Sequence, residues 1–181
     1  MTAVYVIAKM ITFPAAALRA FWEHCLLKIM KEPVEGTAYL SLNELCGHVE
    51  HRLLAGAGRN LLFCALPGLL NLILAVPLVM ADAGNLFILG AGMRNLQTGL
   101  ISPLFFVYIL FYWLGASLLC NLFPLYEDAM HLLDVSSNAK GIKKVPLWAL
   151  ARVIYAGAFL ERHGINVLIA AMVTVTAYIL K

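Results

Sequence analysis

Two long uncharged stretches dominate the pattern of hydrophobic and polar positions along this chain. No charged residue occurs within residues 60–81 or within residues 95–126. Each stretch is longer than the roughly 20 apolar residues that a helix needs to cross a hydrocarbon core about 30 Å thick. A buried helix of a soluble domain is the competing interpretation, but a chain of 181 residues is too short to enclose two such helices and a third. The pattern therefore predicts membrane spans at roughly 61–81 and 101–123.

The remaining segments are shorter and more mixed. Pro14 is tolerated in the first turn of a helix but breaks a helix interior, so residues 3–31 are predicted to be helical in two parts. Alternating apolar and polar positions predict a strand over 37–42, with a returning strand over 46–53. The other segments are a glycine-rich interfacial or re-entrant piece at 82–99, a polar loop at 126–144, and an apolar region at 146–180 that forms either two short helices or one span after an interfacial helix.

Composition agrees with a membrane protein. Hydrophobic residues make up 62% of the chain and charged residues 13%, whereas soluble domains run nearer 45–50% and about 25%. Lys140, Lys143 and Lys144 lie between apolar segments and are typical of a cytoplasmic loop, so the Asp128 end is expected to face the cytoplasm. The remaining basic residues are scattered, which gives nucleic-acid binding no support. The predicted fold is a single all-α integral membrane domain with three to five transmembrane helices, a small β hairpin and the lipid bilayer as its partner.

Charged residues within the first helical region form the first candidate site. An ionisable group near the bilayer centre costs about 2.5–3.5 kcal/mol on insertion scales, so such groups usually pair or face a cavity. Arg19 and Glu23 are four residues apart and therefore share a helical face, with His24 beside them. An intramembrane or interfacial ion pair, with His24 packed beside it, is the simplest interpretation of this cluster.

A second cluster follows the span that ends near residue 123. If Pro124 starts a helix, Glu127, Asp128 and His131 fall within its first two turns, where carboxylates complement the helix dipole. Ordinary helix-start chemistry thus explains these residues. The functional alternative is that Asp128, with or without Glu127 or His131, binds a metal, because zinc accepts carboxylate oxygen and imidazole nitrogen.

Two further positions carry candidate chemistry. His48 and His51 would share a face on a helix, but on the predicted strand their side chains point to opposite faces. This segment is therefore expected to supply at most one ligand, His51. Asn71 lies inside the second span and needs a hydrogen-bond partner, which indicates a helix–helix contact or the wall of a site.

The order of these motifs resembles the site-2 protease family of intramembrane zinc metallopeptidases, in a compact form without an inserted PDZ domain. Phe-Pro-Ala at 13–15 is similar to the Phe-Pro-Gly that precedes the family's zinc-binding helix. Pro-Gly-Leu-Leu-Asn at 67–71 resembles its Gly-Pro-x-x-Asn, and Asn-Leu-Phe-Pro at 121–124 followed by Asp128 resembles its Asn-x-x-Pro with a zinc-binding aspartate. The resemblance covers residues 10–135. It implies a site-2-protease-like helical core.

The chain departs from the family at its catalytic motif. The family requires His-Glu-x-x-His, because two imidazoles one turn apart bind zinc and the glutamate activates its water. At the matching positions, 19–23, this chain reads Arg-Ala-Phe-Trp-Glu, and Ala129 replaces the glycine after the aspartate. Either an ion pair of Arg19 with Glu23 or Asp128 replaces the metal, or a shifted site forms from Glu23, His24, His51 and Asp128.

Three functional hypotheses follow from these observations. In the first, the protein is a non-catalytic or atypical relative, without a cofactor, that binds another membrane protein or a transmembrane peptide. In the second, it is an active zinc metallopeptidase, with His24, His51 and Asp128 as ligands, Glu23 as ligand or base, and substrate positioned by Asn71 and Asn121. In the third, it is a small transporter subunit, since broken helices with polar groups in the membrane also suit transporters.

Overall fold

The protein is described by a computed structural model over residues 3–41, 46–83, 103–139 and 144–179. Within these residues it is mostly helical, at 76%, with one two-stranded antiparallel sheet, so the predicted combination of helices and a small hairpin is confirmed. The elements in chain order are α1 Ala3–Ile11, α2 Phe13–Met30, β1 Val34–Ala38, β2 His48–His51, α3 Ala57–Ala83, α4 Pro103–Leu119, α5 Tyr126–Ser137, α6 Lys144–Arg162 and α7 Asn166–Ile179.

The first helical region has two parts, with the break where Pro14 requires it. Thr12 leaves helical geometry between α1 and α2, and its hydroxyl donates a hydrogen bond to the Ala8 carbonyl. Helix α2 ends at Lys31, whose φ of 58° is left-handed, and the amide of Glu32 turns back to the carbonyl of Leu27. This left-handed cap sends the chain directly into the hairpin.

The hairpin begins earlier than the alternation suggested. Strand β1 covers Val34–Ala38 instead of 37–42, and a register shift between Val34 and Gly36 leaves Glu35 as an extra residue opposite β2. Packing against α2 decides this position, because Gly47 turns the chain with φ +80° directly against the backbone of Ala16. No larger residue would fit there.

Helix α3 lies at the centre of the bundle and contacts α2, α4, α5, α6 and α7. Among the described residues, its segment Ala57–Ala81 is long and apolar enough to cross a membrane. Helices α6 and α7 meet the same criteria only if they count as one broken span, since they are bent by 101° from each other. Leu104–Leu119 of α4 is apolar but shorter. The glycine-rich piece at 82–99 lies largely outside the described residues, as do Lys140 and Lys143.

The segment after α4 is helical, so the prediction of a polar loop over 126–144 is wrong for its first half. Leu125 is extended at φ −54° and ψ 144°, and α5 starts at the next residue. Pro124 cannot continue a preceding helix, and the acidic first turn of α5 favours a new one. Asp128 is thereby fixed on a helix instead of a loop.

Two hydrophobic clusters hold these elements together. One joins α2, the hairpin, α3, α5 and α6 around Leu27, Phe63, Leu132 and Ile154. The other joins α2, α3, α4 and α7 around Ala75, Val79 and Leu118. The polar residues described below lie between α2, the hairpin and the corner that connects α4 to α5.

Candidate functional site

An ion pair is buried at the centre of α2. Arg19 Nε donates to Glu23 Oε1 at 2.9 Å, and the two side chains are 0% and 1% exposed. Their spacing of four residues places them on one face, and α2 turns that face inward. Charges with this little exposure lose their hydration and remain ionised only with a partner.

Glu23 also binds the hairpin. Its second carboxylate oxygen, Oε2, accepts a hydrogen bond from the amide of Val49 at 3.3 Å. His48 Nδ1 lies 3.4 Å from Glu23 Oε1, with its side chain 4% exposed. Burial lowers the pKa of His48 more than the Glu23 carboxylate raises it, so the imidazole is neutral near pH 7. One carboxylate thus joins α2 to β2.

The backbone carbonyl of Asn121 connects the ion pair to the neighbouring helices. It accepts hydrogen bonds from Asn71 Nδ2 at 2.9 Å and from Arg19 Nη1 at 3.4 Å. Asn71 can reach it because Gly68, one turn earlier on α3, lies directly against the Leu122 backbone carbonyl, where a side chain would collide. The Pro-Gly-x-x-Asn and Asn-x-x-Pro motifs are therefore in direct contact.

The structure contains a second buried ion pair that the sequence did not predict. Lys9 Nζ donates to Glu161 Oε1 at 2.8 Å and to Asn121 Oδ1 at 2.6 Å, and Lys9 is 3% exposed. The Asn121 amide nitrogen in turn donates to Thr12 Oγ1, and Glu161 Oε2 accepts from the amide of Phe123. A lysine inside an apolar helix was the available signal, but its partner is 152 residues away in the chain.

Asp128 faces the hairpin from α5. Its Oδ1 lies 3.7 Å from His51 Nε2, and its side chain is 21% exposed. Burial, with the nearby Glu23 carboxylate, raises the pKa of Asp128 to about 7, and His51 only partly offsets this. Asp128 therefore lies within electrostatic range of the ion pair on α2.

The other predicted residues of this region have separate environments. Glu127 is exposed on α5, and His131 Nε2 donates to the Leu54 carbonyl at 3.3 Å. His24 bonds Tyr39 through its Nδ1 at 3.3 Å, away from the carboxylates. His24 therefore has a different environment from Glu23, because a residue next to Glu23 is rotated by about 100° around the helix.

The imidazole beside Glu23 belongs to His48, whereas His51 was expected to be the one ligand from this segment. Burial does not alternate along β2, since His48 and Val49 are both buried and the side chain of His51 is only 5% exposed. The strand is four residues long and the register shift lies opposite its end. Both histidines consequently face carboxylates, one on α2 and the other on α5.

These donors do not fit a zinc site as arranged. No three histidine, cysteine, aspartate or glutamate side chains converge among the described residues. Glu23 is already bonded to Arg19, whose fixed positive charge would repel a cation. We therefore derive no reaction step through a metal.

Several buried polar atoms around the ion pair have no hydrogen-bond partner within the described ranges. They are Arg19 Nη2, Asn71 Oδ1, both ring nitrogens of His48, and His51 Nε2. Buried polar groups are usually satisfied, because an unsatisfied one costs about 1–3 kcal/mol. These atoms cluster around the Arg19–Glu23 pair.

Comparison with known proteins adds no assignment: no family model matches the chain, and no curated protein or solved structure is significantly similar to it.

Proposed function

We propose that this chain is a membrane protein built like a site-2 protease whose metal has been replaced by an ion pair, and that it binds a membrane partner instead of cleaving one. The observation that carries the proposal is the buried Arg19–Glu23 pair at the positions where the family has its catalytic motif. The Arg19 guanidinium neutralises the Glu23 carboxylate, so this carboxylate needs no metal. The contact of both asparagine motifs with this pair, through the Asn121 carbonyl, supports the same architecture.

The membrane assignment follows from exposure as well as composition. Large apolar side chains are exposed along the helices that pack around α3, including Phe106 and Leu110 on α4 and Leu168 and Met172 on α7. Soluble proteins rarely expose large contiguous apolar patches. A bilayer is the solvent that suits these faces. The polar hairpin and α5 would then lie at one side of the bilayer. The basic residues near 140–144 place that side in the cytoplasm under the positive-inside rule.

An open apolar groove favours a transmembrane or juxtamembrane peptide as the partner. It is lined by Met10, Phe13, Leu40, Ser41 and Cys46, where the α1–α2 junction meets the hairpin. Each of the three large apolar side chains is at least 41% exposed. A groove of this character takes an apolar segment more readily than a polar substrate.

Metal analysis tests the non-catalytic half of the proposal. Purified full-length protein is expected to contain no stoichiometric zinc, and a chelator is expected to leave its thermal unfolding unchanged. Glu50→Gln, an exposed acidic residue of β2, is the control for Glu23→Gln. Stoichiometric zinc that is lost in the Glu23 variant but kept in the Glu50 variant would establish the metallopeptidase alternative.

Photocrosslinking tests the partner half. A photoreactive amino acid at Met10 is expected to form adducts with an apolar segment of another membrane protein, mapped by mass spectrometry. The same group at Val153, an exposed apolar position on α6, is the control. Lipid adducts alone at both positions would overturn the assignment of a peptide partner.

A further inference from the structure

Helix α6 is long enough to cross a bilayer, but its surface is not that of a spanning helix. Its 19 residues measure about 28 Å at 1.5 Å per residue. Lys144, Trp148 and Arg152 recur every fourth residue and so lie along one side, and Arg162 continues the same line five turns from Lys144. We call these four residues the basic stripe.

The basic stripe has no acidic counterpart. None of its three cations forms an ion pair with a residue in the described part of the chain, and the one acidic residue of α6, Glu161, is buried against Lys9. The Arg152 guanidinium stacks on the Trp148 ring at 3.7 Å, and Arg162 lies 4.9 Å from the Tyr126 ring. Arginine with tryptophan and tyrosine is typical of the level of lipid headgroups.

Beside the basic stripe, α6 has an apolar exposed side. Val153 and Leu160 on that side are 63% and 36% exposed, while Ala151 and Ile154 pack into the core. In a helix that crossed the membrane, Lys144 and Arg162 would lie at the two ends and Arg152 near the middle of the hydrocarbon, where a cation costs about 2.5–3.5 kcal/mol on insertion scales. In a helix that lies along the surface, the stripe stays at headgroup level and the apolar side enters the acyl region.

The bend between α6 and α7 agrees with the second arrangement. The two helices meet at 101°, and Gly164 makes the turn with φ +76°. If α7 follows the bilayer normal beside α3 and α4, which it contacts, α6 lies close to the membrane plane.

We infer that α6 is an interfacial helix whose basic stripe binds the headgroups of anionic phospholipids. The inference rests on the membrane assignment within the proposed function, but not on the ion pair or the peptide partner. Positive charge without an acidic partner in the described part of the chain, beside exposed apolar side chains, matches a lipid carrying a negative headgroup and an apolar tail.

Lipid retention measured by native mass spectrometry tests the inference. Full-length protein is purified from vesicles of phosphatidylcholine mixed with phosphatidylglycerol, and the ratio of the two retained lipids is counted. Wild type is expected to favour phosphatidylglycerol, and Lys144→Gln with Arg152→Gln to lower that preference by roughly 30-fold, since each basic residue at an anionic surface contributes about 1 kcal/mol. Lys28→Gln with Arg52→Gln removes the same charge from other exposed positions and is the control.

Depth of insertion gives an independent reading. Quenching by lipids brominated along the acyl chain is compared between wild type and Trp148→Phe, so that the difference reports Trp148 alone. Bromines near the headgroup are expected to quench most. Strongest quenching near the bilayer centre, or equal retention of phosphatidylglycerol by the stripe and control variants, would overturn the inference.

Alkaline carbonate extraction separates this failure from failure of the membrane assignment itself. Protein that resists extraction but shows no lipid preference rejects only the interfacial helix. Protein released by carbonate rejects the membrane assignment and the inference with it.

Discussion

Replacing Arg19 by methionine should be among the most damaging single changes in this protein. The guanidinium is fully buried and is the only cation within hydrogen-bonding distance of Glu23 among the described residues. Removing one member of a buried pair leaves the other charge uncompensated, which costs about 3–5 kcal/mol. The free energy of unfolding of Arg19→Met should fall by that amount, measured by denaturant titration of protein purified in mild detergent.

The double variant carries the sharper test. With Glu23→Leu also present, no unpaired charge remains, and an apolar pair of similar volume is often neutral relative to a buried ion pair. The Val49 amide does lose its carboxylate acceptor, a cost of about 1–3 kcal/mol. The double variant should therefore be more stable than Arg19→Met alone, with a coupling energy of several kcal/mol in the cycle.

An exposed ion pair provides the matched control. Arg52 and Glu35 are joined at 3.0 Å, almost the same distance, but their side chains are 77% and 51% exposed. The equivalent cycle at this pair should give about 1 kcal/mol or less. Similar coupling at both pairs, or a double variant as unstable as the sum of its singles, would refute the argument that burial makes the Arg19 pair costly to break.

Three further perturbations have defined outcomes. Gly68→Ala should lower the free energy of unfolding by about 1–3 kcal/mol or more, because its methyl group would collide with a backbone carbonyl of the α4–α5 corner. Lys9→Met should cost roughly 3–5 kcal/mol, because it leaves a buried carboxylate of α6 without its cation. Because the pKa of Asp128 is raised, the folded protein binds the proton of this carboxyl more tightly than the unfolded chain does. The contribution of Asp128 to stability is therefore full below pH 3.8 and is lost as the pH rises through about 7. Asp128→Asn should remove that pH dependence from thermal unfolding.

Each of these has a control within the chain. Gly58→Ala, with no atom within 4 Å of the added methyl, should leave stability unchanged or improve it. Lys28→Met removes an exposed lysine of α2 and should have little effect. Asp134→Asn, on the exposed side of α5, should keep the wild-type pH profile. A Gly58 variant as unstable as the Gly68 variant would rule out close packing as the cause. A Lys28 variant as unstable as the Lys9 variant would rule out charge burial. A pH profile lost in the Asp134 variant as well would rule out proton binding by Asp128.

Local sequence determined the features that depend on neighbouring residues. Pro14 fixed the break in the first helical region, and the four-residue spacing of Arg19 and Glu23 put both on one face. The uncharged stretches located the apolar helices within a few residues, because hydrophobic length is a property of the segment alone. Coarse fold class follows from such local patterns.

The tertiary structure decided which side chains meet. His48 instead of His24 lies beside Glu23, because the hairpin packs on α2 and brings β2 against that carboxylate. Lys9 finds Glu161 at the far end of the chain, and nothing local marks either as the other's partner. Burial creates the need for a partner, and the sequence shows that need, but only the packed helices determine which residue meets it.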